Sequence, residues 1–222
     1  MSNSIEKMIE VGAQFGYSKT KRHPSAKKYV FATKNNTDIV DLEHTEKMLE
    51  EAKKFMKKLA EEKKTILFVS TKPESKKAIE EAAKTLKMPY VENRWIGGTL
   101  TNFPQIRKRV EVLIDLKAKK ERGDLEKYTK KERSDFTRQI EKMTRNFGGL
   151  VDMTKKPDAL FIVDVRKEKI ALTEANMTNT PVVSLSNTDC NLDDVTYPII
   201  GNDASRSSIE FFVKALLESY KA

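Results

Sequence analysis

One stretch near the middle of the chain decides the fold, and it reads Arg94-Trp95-Ile96-Gly97-Gly98-Thr99-Leu100-Thr101-Asn102. Two long charged segments follow this central motif (residues 94–102), and the pair Gly148-Gly149 ends them. Each segment carries apolar residues at steps of three and four, which predicts two amphipathic helices joined along apolar seams. The seam residues are Phe103, Ile106, Val110 and Leu113 in the first segment and Phe136, Ile140, Met143, Phe147 and Leu150 in the second.

The ends of these two helices carry their own signals. Thr101 or Asn102 is expected to cap the first helix, whose first turn contains Pro104. Thr129 and Glu132 form a capping box that starts the second helix after the break at residues 123–124. Two helices with one seam each and a short connection predict an antiparallel coiled-coil hairpin over residues 103–149. With roughly 20 residues per arm, the hairpin extends about 30 Å and should project.

The rest of the chain alternates apolar runs with amphipathic segments. Short strands are predicted at residues 29–32, 37–40, 65–70, 89–92, 159–163, 181–185 and 197–200. Helices are predicted at residues 4–11, 44–61, 75–87 and 170–177, with a last helix capped by Asp203 or Ser205. This alternation predicts an α/β body with a doubly wound, mostly parallel, flavodoxin-like sheet. The body would comprise residues 1–102 and 150–222, with the hairpin inserted at 103–149.

Composition narrows the classes of function. The 222 residues carry a formal net charge of +9, which favours nucleic acid or another anionic surface as a partner. No apolar run is long enough to cross a membrane, and the first residues lack the layout of a secretory signal, so we expect a cytoplasmic protein. The single cysteine, Cys190, excludes an internal disulfide and a cysteine-built zinc site.

A basic segment, defined here as residues 19–34, is the first candidate site. It carries no acidic residue, and aromatic residues interleave with its charges. Lysine and arginine neutralise RNA phosphates and aromatic rings stack on unpaired bases, so this composition predicts RNA contact, while a merely solvated basic loop is the alternative. The predicted RNA-binding residues of this segment are Lys19, Lys21, Arg22, Lys27, Lys28 and Lys34.

The central motif and the start of the hairpin supply further candidates. Arg94 is assigned either a phosphate contact or a surface ion pair, and Trp95 is expected to pack in the core rather than to stack on a base. Consecutive helical residues point about 100° apart, so only one or two of Arg107, Lys108 and Arg109 are expected to bind phosphate. The glycines either end helices or permit close approach of backbone; they are Gly97, Gly98, Gly148 and Gly149.

Catalytic chemistry finds little support in the sequence. Neither a Gly-x-Gly-x-x-Gly motif nor a Gly-Lys-Ser/Thr phosphate loop is present. Lys72 could meet an anion at a helix N-terminus. Asp164 and Asp189 could act as acids or metal ligands, although capping and turn roles explain them equally well. We therefore predict no catalytic residues, no metal and no cofactor.

The central motif resembles the signature of the bacterial-type family of ribosomal protein two of the small subunit. Residues 148–153, 157–164 and 198–204 look like later blocks of that family in the same order, so the resemblance covers the chain from about Ile5 onward. The sequence departs from the family pattern at Gln14 and Tyr17, where many bacterial members carry histidine. A role that needs an imidazole at these positions, metal binding included, is therefore not predicted.

The resemblance implies a structural, non-enzymatic constituent of the small ribosomal subunit, present as a monomer within the ribosome. Such a protein would contact ribosomal RNA and neighbouring ribosomal proteins, and many bacterial members help to seat the large protein that captures messenger RNA. The expected mechanism is phosphate neutralisation by the basic segment and the hairpin, with RNA shape setting the site. Two alternatives stay open: a nucleotide-binding α/β enzyme that uses Lys72, and a protein-docking module that uses the hairpin.

Overall fold

A computed structural model describes residues 2–221 as an α/β protein with seven helices and eight strands among them. The helices are α1 (Ser2–Glu10), α2 (Leu42–Glu61), α3 (Pro73–Leu86), α4 (Phe103–Glu121), α5 (Lys130–Phe147), α6 (Lys169–Met177) and α7 (Arg206–Lys221). The strands are β1 (Phe15–Ser18), β2 (Val30–Lys34), β3 (Thr37–Val40), β4 (Ile66–Val69), β5 (Tyr90–Val91), β6 (Ala159–Val163), β7 (Val182–Ser186) and β8 (Tyr197–Ile200). Single 3-10 turns lie at Lys19–Lys21, Pro24–Tyr29 and Gly148–Leu150.

Five parallel strands form the main sheet in the order β5-β4-β6-β7-β8. Successive side chains of a strand point to opposite faces, so the buried strands contribute to two cores. Leu67 and Val69 join the core that contains residues of α4, α5 and α6, whereas Ile66 and Phe68 join the core that contains residues of α1, α2, α3 and α7. The parallel α/β sheet predicted from the sequence is confirmed, and its strand order is the flavodoxin-like one.

The N-terminal strands do not belong to this sheet. They form a separate antiparallel sheet in the order β1-β3-β2, with Asn35 and Asn36 at positive φ in the turn between β2 and β3. Residues 15–18, for which the sequence predicts no strand, form β1 and pair with β3. The stretch Phe15-Gly16-Tyr17-Ser18 contains a glycine, which disfavours a strand, and β1 pairs along the free hydrogen-bonding edge of β3.

Helices α4 and α5, the helix pair, follow the central motif. Their buried residues are those of the predicted seams: Ile106, Val110 and Leu113 in α4, with Leu116 beyond them, and Ile140, Met143 and Phe147 in α5. The capping box of Thr129 and Glu132 is present at the start of α5.

Two of the predicted capping assignments differ in the structure. Asn102 precedes α4 without a capping side-chain hydrogen bond, and the Thr101 hydroxyl donates to Glu174 instead. Asp203, one of the two predicted caps of α7, pairs with Lys72, whereas the other, Ser205, directly precedes α7. Long-range polar partners, which local sequence does not reveal, have taken the side chains of Thr101 and Asp203. Among the helices of residues 2–221, none combines the length and apolar character needed to span a membrane.

Candidate nucleic-acid interface

The basic segment is a folded stretch of chain that presents its lysines to solvent. Two 3-10 turns and strand β2 build most of it, and His23 caps the second turn by accepting a hydrogen bond from the Ser25 amide at its Nδ1 atom. Five of the six predicted cations are exposed: Lys19, Lys21, Lys27, Lys28 and Lys34. Phe31, also exposed, has 78% of its surface in solvent. The surface therefore combines cations with an accessible ring.

Arg22, the sixth predicted cation, is placed differently. Its side chain is half-buried, and its Nη1 atom lies 3.5 Å from Oδ1 of the fully buried Asp38. The same carboxylate oxygen accepts a hydrogen bond of 2.8 Å from Thr33. A buried carboxylate requires a compensating positive charge. Arg22 therefore stabilises the fold of the segment in addition to contributing to its surface charge.

The loop between β7 and β8 holds the basic segment and the strand β1 that precedes it. The Tyr17 amide donates to Thr188 Oγ1 at 3.1 Å, and the His23 amide donates to the Thr188 carbonyl at 2.8 Å. Further along, the Leu192 amide donates to Ser25 Oγ at 3.0 Å. A Cβ on Gly16 would lie 2.9 Å from the Thr188 methyl carbon, so only glycine fits there. The lysines are thus carried on a fixed scaffold.

Three buried charged residues, the strand-end cluster, meet beyond the carboxyl ends of the parallel strands. Lys72 follows β4, Asp164 follows β6 and Asp203 follows β8. The Lys72 Nζ atom lies 2.7 Å from Asp164 Oδ2 and 2.8 Å from Asp203 Oδ2. Burial disfavours the ammonium ion, but the two carboxylates outweigh burial and hold the pKa of Lys72 above its ordinary range. Burial raises the pKa of Asp203 to about 6, against the opposing effect of Lys72.

This cluster occupies the place where doubly wound sheets bind ligands. Lys72, the candidate anion-binding residue, forms ion pairs with two buried carboxylates of the protein itself. The Tyr17 hydroxyl lies 3.5 Å from its Nζ atom. Asp189 does not pair with Asp164 and instead bonds Arg166 at 2.8 Å. The arrangement gives the hypothesis of a nucleotide-binding enzyme no support.

Cys190 lies beside the strand-end cluster, whereas Gln14, one of the departures from the family pattern, lies beside the N-terminal sheet. Asp164, Cys190 and Asp203 offer potential metal-ligand atoms within 4.8 Å of one another, but the Lys72 ammonium already bridges the two carboxylates. Burial raises the pKa of the Cys190 thiol, which suits an unreactive core cysteine. Gln14 is half-buried beside the N-terminal sheet, where its backbone carbonyl accepts a hydrogen bond from the Val40 amide at 2.8 Å.

The central motif wraps around the carboxylate of Glu174 from α6. Its Oε1 atom accepts hydrogen bonds from Trp95 Nε1 at 3.1 Å and from the Gly98 amide at 2.8 Å. Its Oε2 atom accepts from the Leu100 amide at 3.0 Å and from the Thr101 amide and hydroxyl, both at 3.2 Å. Burial raises the pKa of Glu174, but these donors outweigh burial and lower it overall. Trp95 is buried, as expected for a residue that packs in the core.

Sequence reasoning missed Glu174, although one signal was available. The buried face of α6 is otherwise made of small and apolar residues, namely Ala171, Leu172 and Ala175. An acid on such a face must have partners, because an unpaired buried carboxylate is costly. The sequence could therefore have identified Glu174 as paired, but not with what.

Only one glycine of each Gly-Gly pair occupies a position that a larger residue could not readily take. Gly98 has φ +92°, a conformation that side chains rarely adopt. A Cβ on Gly149 would lie 2.2 Å from the Tyr90 carbonyl oxygen, so backbone approaches backbone there. Gly97 and Gly148 have neither a positive φ nor a close neighbour of this kind. Close approach thus accounts for one glycine and backbone conformation for another.

The four cations around the start of α4 differ in their exposure to solvent. Arg94, Lys108 and Arg109 are exposed. Arg107 is half-buried, and its Nη1 atom donates to the carbonyls of Val151 at 2.9 Å and Met153 at 3.2 Å. Arg107 therefore fastens the start of α4 to the chain that leaves α5, which leaves Lys108 and Arg109 as the accessible charges of the triplet.

Comparison with known proteins identifies relatives along nearly the whole chain. A family model described as ribosomal protein S2 matches residues 8–222. The small ribosomal subunit protein uS2 of Hahella chejuensis is 40% identical over 97% of this chain and 85% of its own length. The proteins of the same name from Dictyoglomus thermophilum and Dehalococcoides mccartyi are 39% and 37% identical, over 97% and 98% of this chain and 87% and 89% of their own lengths.

Proposed function

This chain belongs to the ribosomal protein S2 family, and we propose from that premise that it is a structural constituent of the small ribosomal subunit. It acts in translation, in the cytoplasm, by binding and not by catalysis. The observation that carries the RNA-binding part of the proposal is the row of five exposed lysines on a scaffolded segment free of acidic residues.

The basic segment binds ribosomal RNA through its phosphates. Lys19, Lys21, Lys27, Lys28 and Lys34 are free to neutralise the RNA backbone, and the exposed ring of Phe31 is available to stack on an unpaired base. Phosphate contacts position a protein without reading base sequence. The fold of the segment therefore selects a site by RNA shape, and its attachment to the loop between β7 and β8 supports this mechanism.

The helix pair is the second RNA-contacting element, as an antiparallel coiled-coil hairpin inserted between residues 102 and 150 of the α/β body. Buried apolar residues on both helices and the capping box at Thr129 support this assignment. Exposed Arg94, Lys108 and Arg109 lie at its start and extend the cationic surface of the protein.

Neighbouring ribosomal proteins contact a different surface. Ile170 and Met177 lie seven residues apart on α6, two helical turns, with 61% and 71% of their surfaces exposed. Large exposed apolar side chains suit a protein partner better than RNA phosphates. Within the ribosome the chain acts as a monomer among these neighbours, and the messenger-RNA-capturing protein is one candidate among them.

Sedimentation of a tagged copy in cell lysate tests the proposal. The protein should comigrate with small subunits, remain there after a high-salt wash, and leave the ribosomal fractions when magnesium is chelated and the subunits unfold. A protein that stays at the top of the gradient in every condition would overturn the structural role. Its binding to purified neighbours in the presence of ribonuclease would then favour the protein-docking alternative.

A further inference from the structure

A short stretch of chain, the central motif, leads into the base of the helix pair. The central motif ends at Asn102, and α4 begins at Phe103. Helix α4 has 19 residues, which at about 1.5 Å per residue makes a lever of roughly 28 Å. A rotation of about 10° at the base of such a lever moves its tip by about 5 Å. Small errors in the motif therefore become large displacements at the tip.

The side chain of Glu174 binds the motif at four separate positions. Five donors converge on its two oxygens, from Trp95, Gly98, Leu100 and Thr101. Only Asn102 separates the last of these donors from α4. Glu174 has only 6% of its surface exposed. Helix α6, which carries Glu174, packs into the same core as the sheet.

We propose that Glu174 is the positioning residue that sets the direction of the helix pair relative to the sheet. Its carboxylate serves as a fixed acceptor around which the backbone of residues 98–101 is shaped, much as oriented amides surround a bound anion. The consequence for RNA binding rests on the function proposed above, because it requires the helix pair to touch RNA.

A glutamine side chain would not reproduce these contacts. Every polar group that faces the two oxygens is a donor. A glutamine amide has one acceptor oxygen and one NH₂ group, which is a donor. In either orientation, Glu174→Gln loses two or three of the hydrogen bonds and sets its NH₂ group against other donors.

The test measures the distance between the tip of the helix pair and the body in the free protein. Spin labels at Glu121→Cys, at the end of α4, and Glu210→Cys, on α7, use two exposed positions. The native Cys190 is buried and does not compete for the label. We expect the distance distribution from pulsed electron paramagnetic resonance to broaden or shift by about 5 Å in Glu174→Gln.

Glu168→Gln is the matched control. Glu168 is also a buried glutamate of the α6 region, and it bonds Thr71 and not the central motif. The control should therefore keep the wild-type distance distribution. An unchanged distribution in a folded Glu174→Gln protein would overturn the proposal, as would equal broadening in both variants.

A milder variant covers the case in which Glu174→Gln does not fold. Trp95→Phe keeps the aromatic ring but removes one of the five donors, so it should broaden the distribution to a smaller extent. A folded Trp95→Phe protein with the wild-type distribution would count against the proposal in the same way.

Binding of small-subunit ribosomal RNA separates this inference from the proposed function. A misdirected helix pair should lose phosphate contacts. Each lost contact reduces the magnitude of the salt slope, the slope of the logarithm of the binding constant against the logarithm of the salt concentration, by roughly 0.7 to 0.9. The slope is measured below the unfolding temperature of every variant, so lower stability alone would not change it. A broadened distance with an unchanged slope would retain Glu174 as the positioning residue and remove the helix pair from the RNA interface.

Discussion

At the scale of the residue, the strand-end cluster shows how one lysine can fill a ligand site. Asp164 and Asp203 lie where a doubly wound sheet would bind a ligand, and the Lys72 ammonium satisfies both. Removal of one partner from a buried ion pair costs about 3 to 5 kcal/mol, mainly because it leaves the other charge uncompensated. Lys72 is therefore a structural residue, and its sequence position beside a helix N-terminus was a misleading signal.

Lys72→Met should destabilise the protein by about 3 kcal/mol at pH 8 and by less at pH 5. The pKa of Asp203 in the folded state is already raised to about 6, and loss of Lys72 raises it further. An acid with a raised folded-state pKa contributes most below its unfolded pKa and loses that contribution as the pH rises through the folded value. Protonation of Asp203 at pH 5 therefore removes its uncompensated negative charge and reduces the destabilisation of Lys72→Met.

Urea unfolding of Lys72→Met and the wild type at both pH values checks this prediction. Lys76→Met, a change of the neighbouring lysine on α3, is the control, because Lys76 bonds Asn93 and no carboxylate of the cluster. A destabilisation of Lys72→Met that is equal at pH 5 and pH 8 would contradict the ionic role assigned to the cluster.

At the scale of the element, the sequence predicts what local periodicity encodes. The helix pair is visible because its apolar seam repeats over several turns and its capping box lies within four residues. Strand β1 is not visible, since its four residues gain meaning only from pairing with β3. Lys72 and Asp203 are 131 residues apart, and Glu174 is 79 residues from Trp95, so no local pattern could join them.

The basic segment gives the element-scale prediction. Replacement of its five exposed lysines (Lys19, Lys21, Lys27, Lys28 and Lys34) with alanine should weaken binding to small-subunit ribosomal RNA and flatten its salt dependence. The log–log slope should fall by roughly 0.7 to 0.9 for each phosphate contact that is lost. Arg22 is left in place because its removal would leave the negative charge of the buried Asp38 carboxylate without its cationic partner.

A matched variant separates local contact from total charge. Lys54, Lys57, Lys58, Lys77 and Lys214 are also exposed and lie on α2, α3 and α7, so their replacement changes the net charge equally. Titration of both variants with RNA at several salt concentrations should show a large change in slope only for the basic segment. Equal salt slopes in the two variants would mean that RNA binding depends on the net charge of the protein and not on the basic segment.

At the scale of the whole molecule, support and contact are divided between different parts of the chain. The sheet and its two cores involve residues from both ends of the sequence, whereas the basic segment and the helix pair carry exposed cations on elements attached to that body. Glu174 and Arg107 fasten the base of the helix pair, and Thr188 fastens the basic segment. RNA binding should therefore be separable from folding.

Shortening the helix pair tests this separation. Replacement of residues 117–135 by a short glycine-containing turn removes the outer turns and retains the base, including Arg107, Leu113 and Ile140. We expect a single cooperative urea transition with a slightly smaller m-value, since less surface is exposed on unfolding. The salt slope for ribosomal RNA should fall, because the removed turns carry more basic than acidic residues. Loss of the cooperative transition would mean that the outer turns stabilise the body, and an unchanged slope would place the RNA contacts on the basic segment alone.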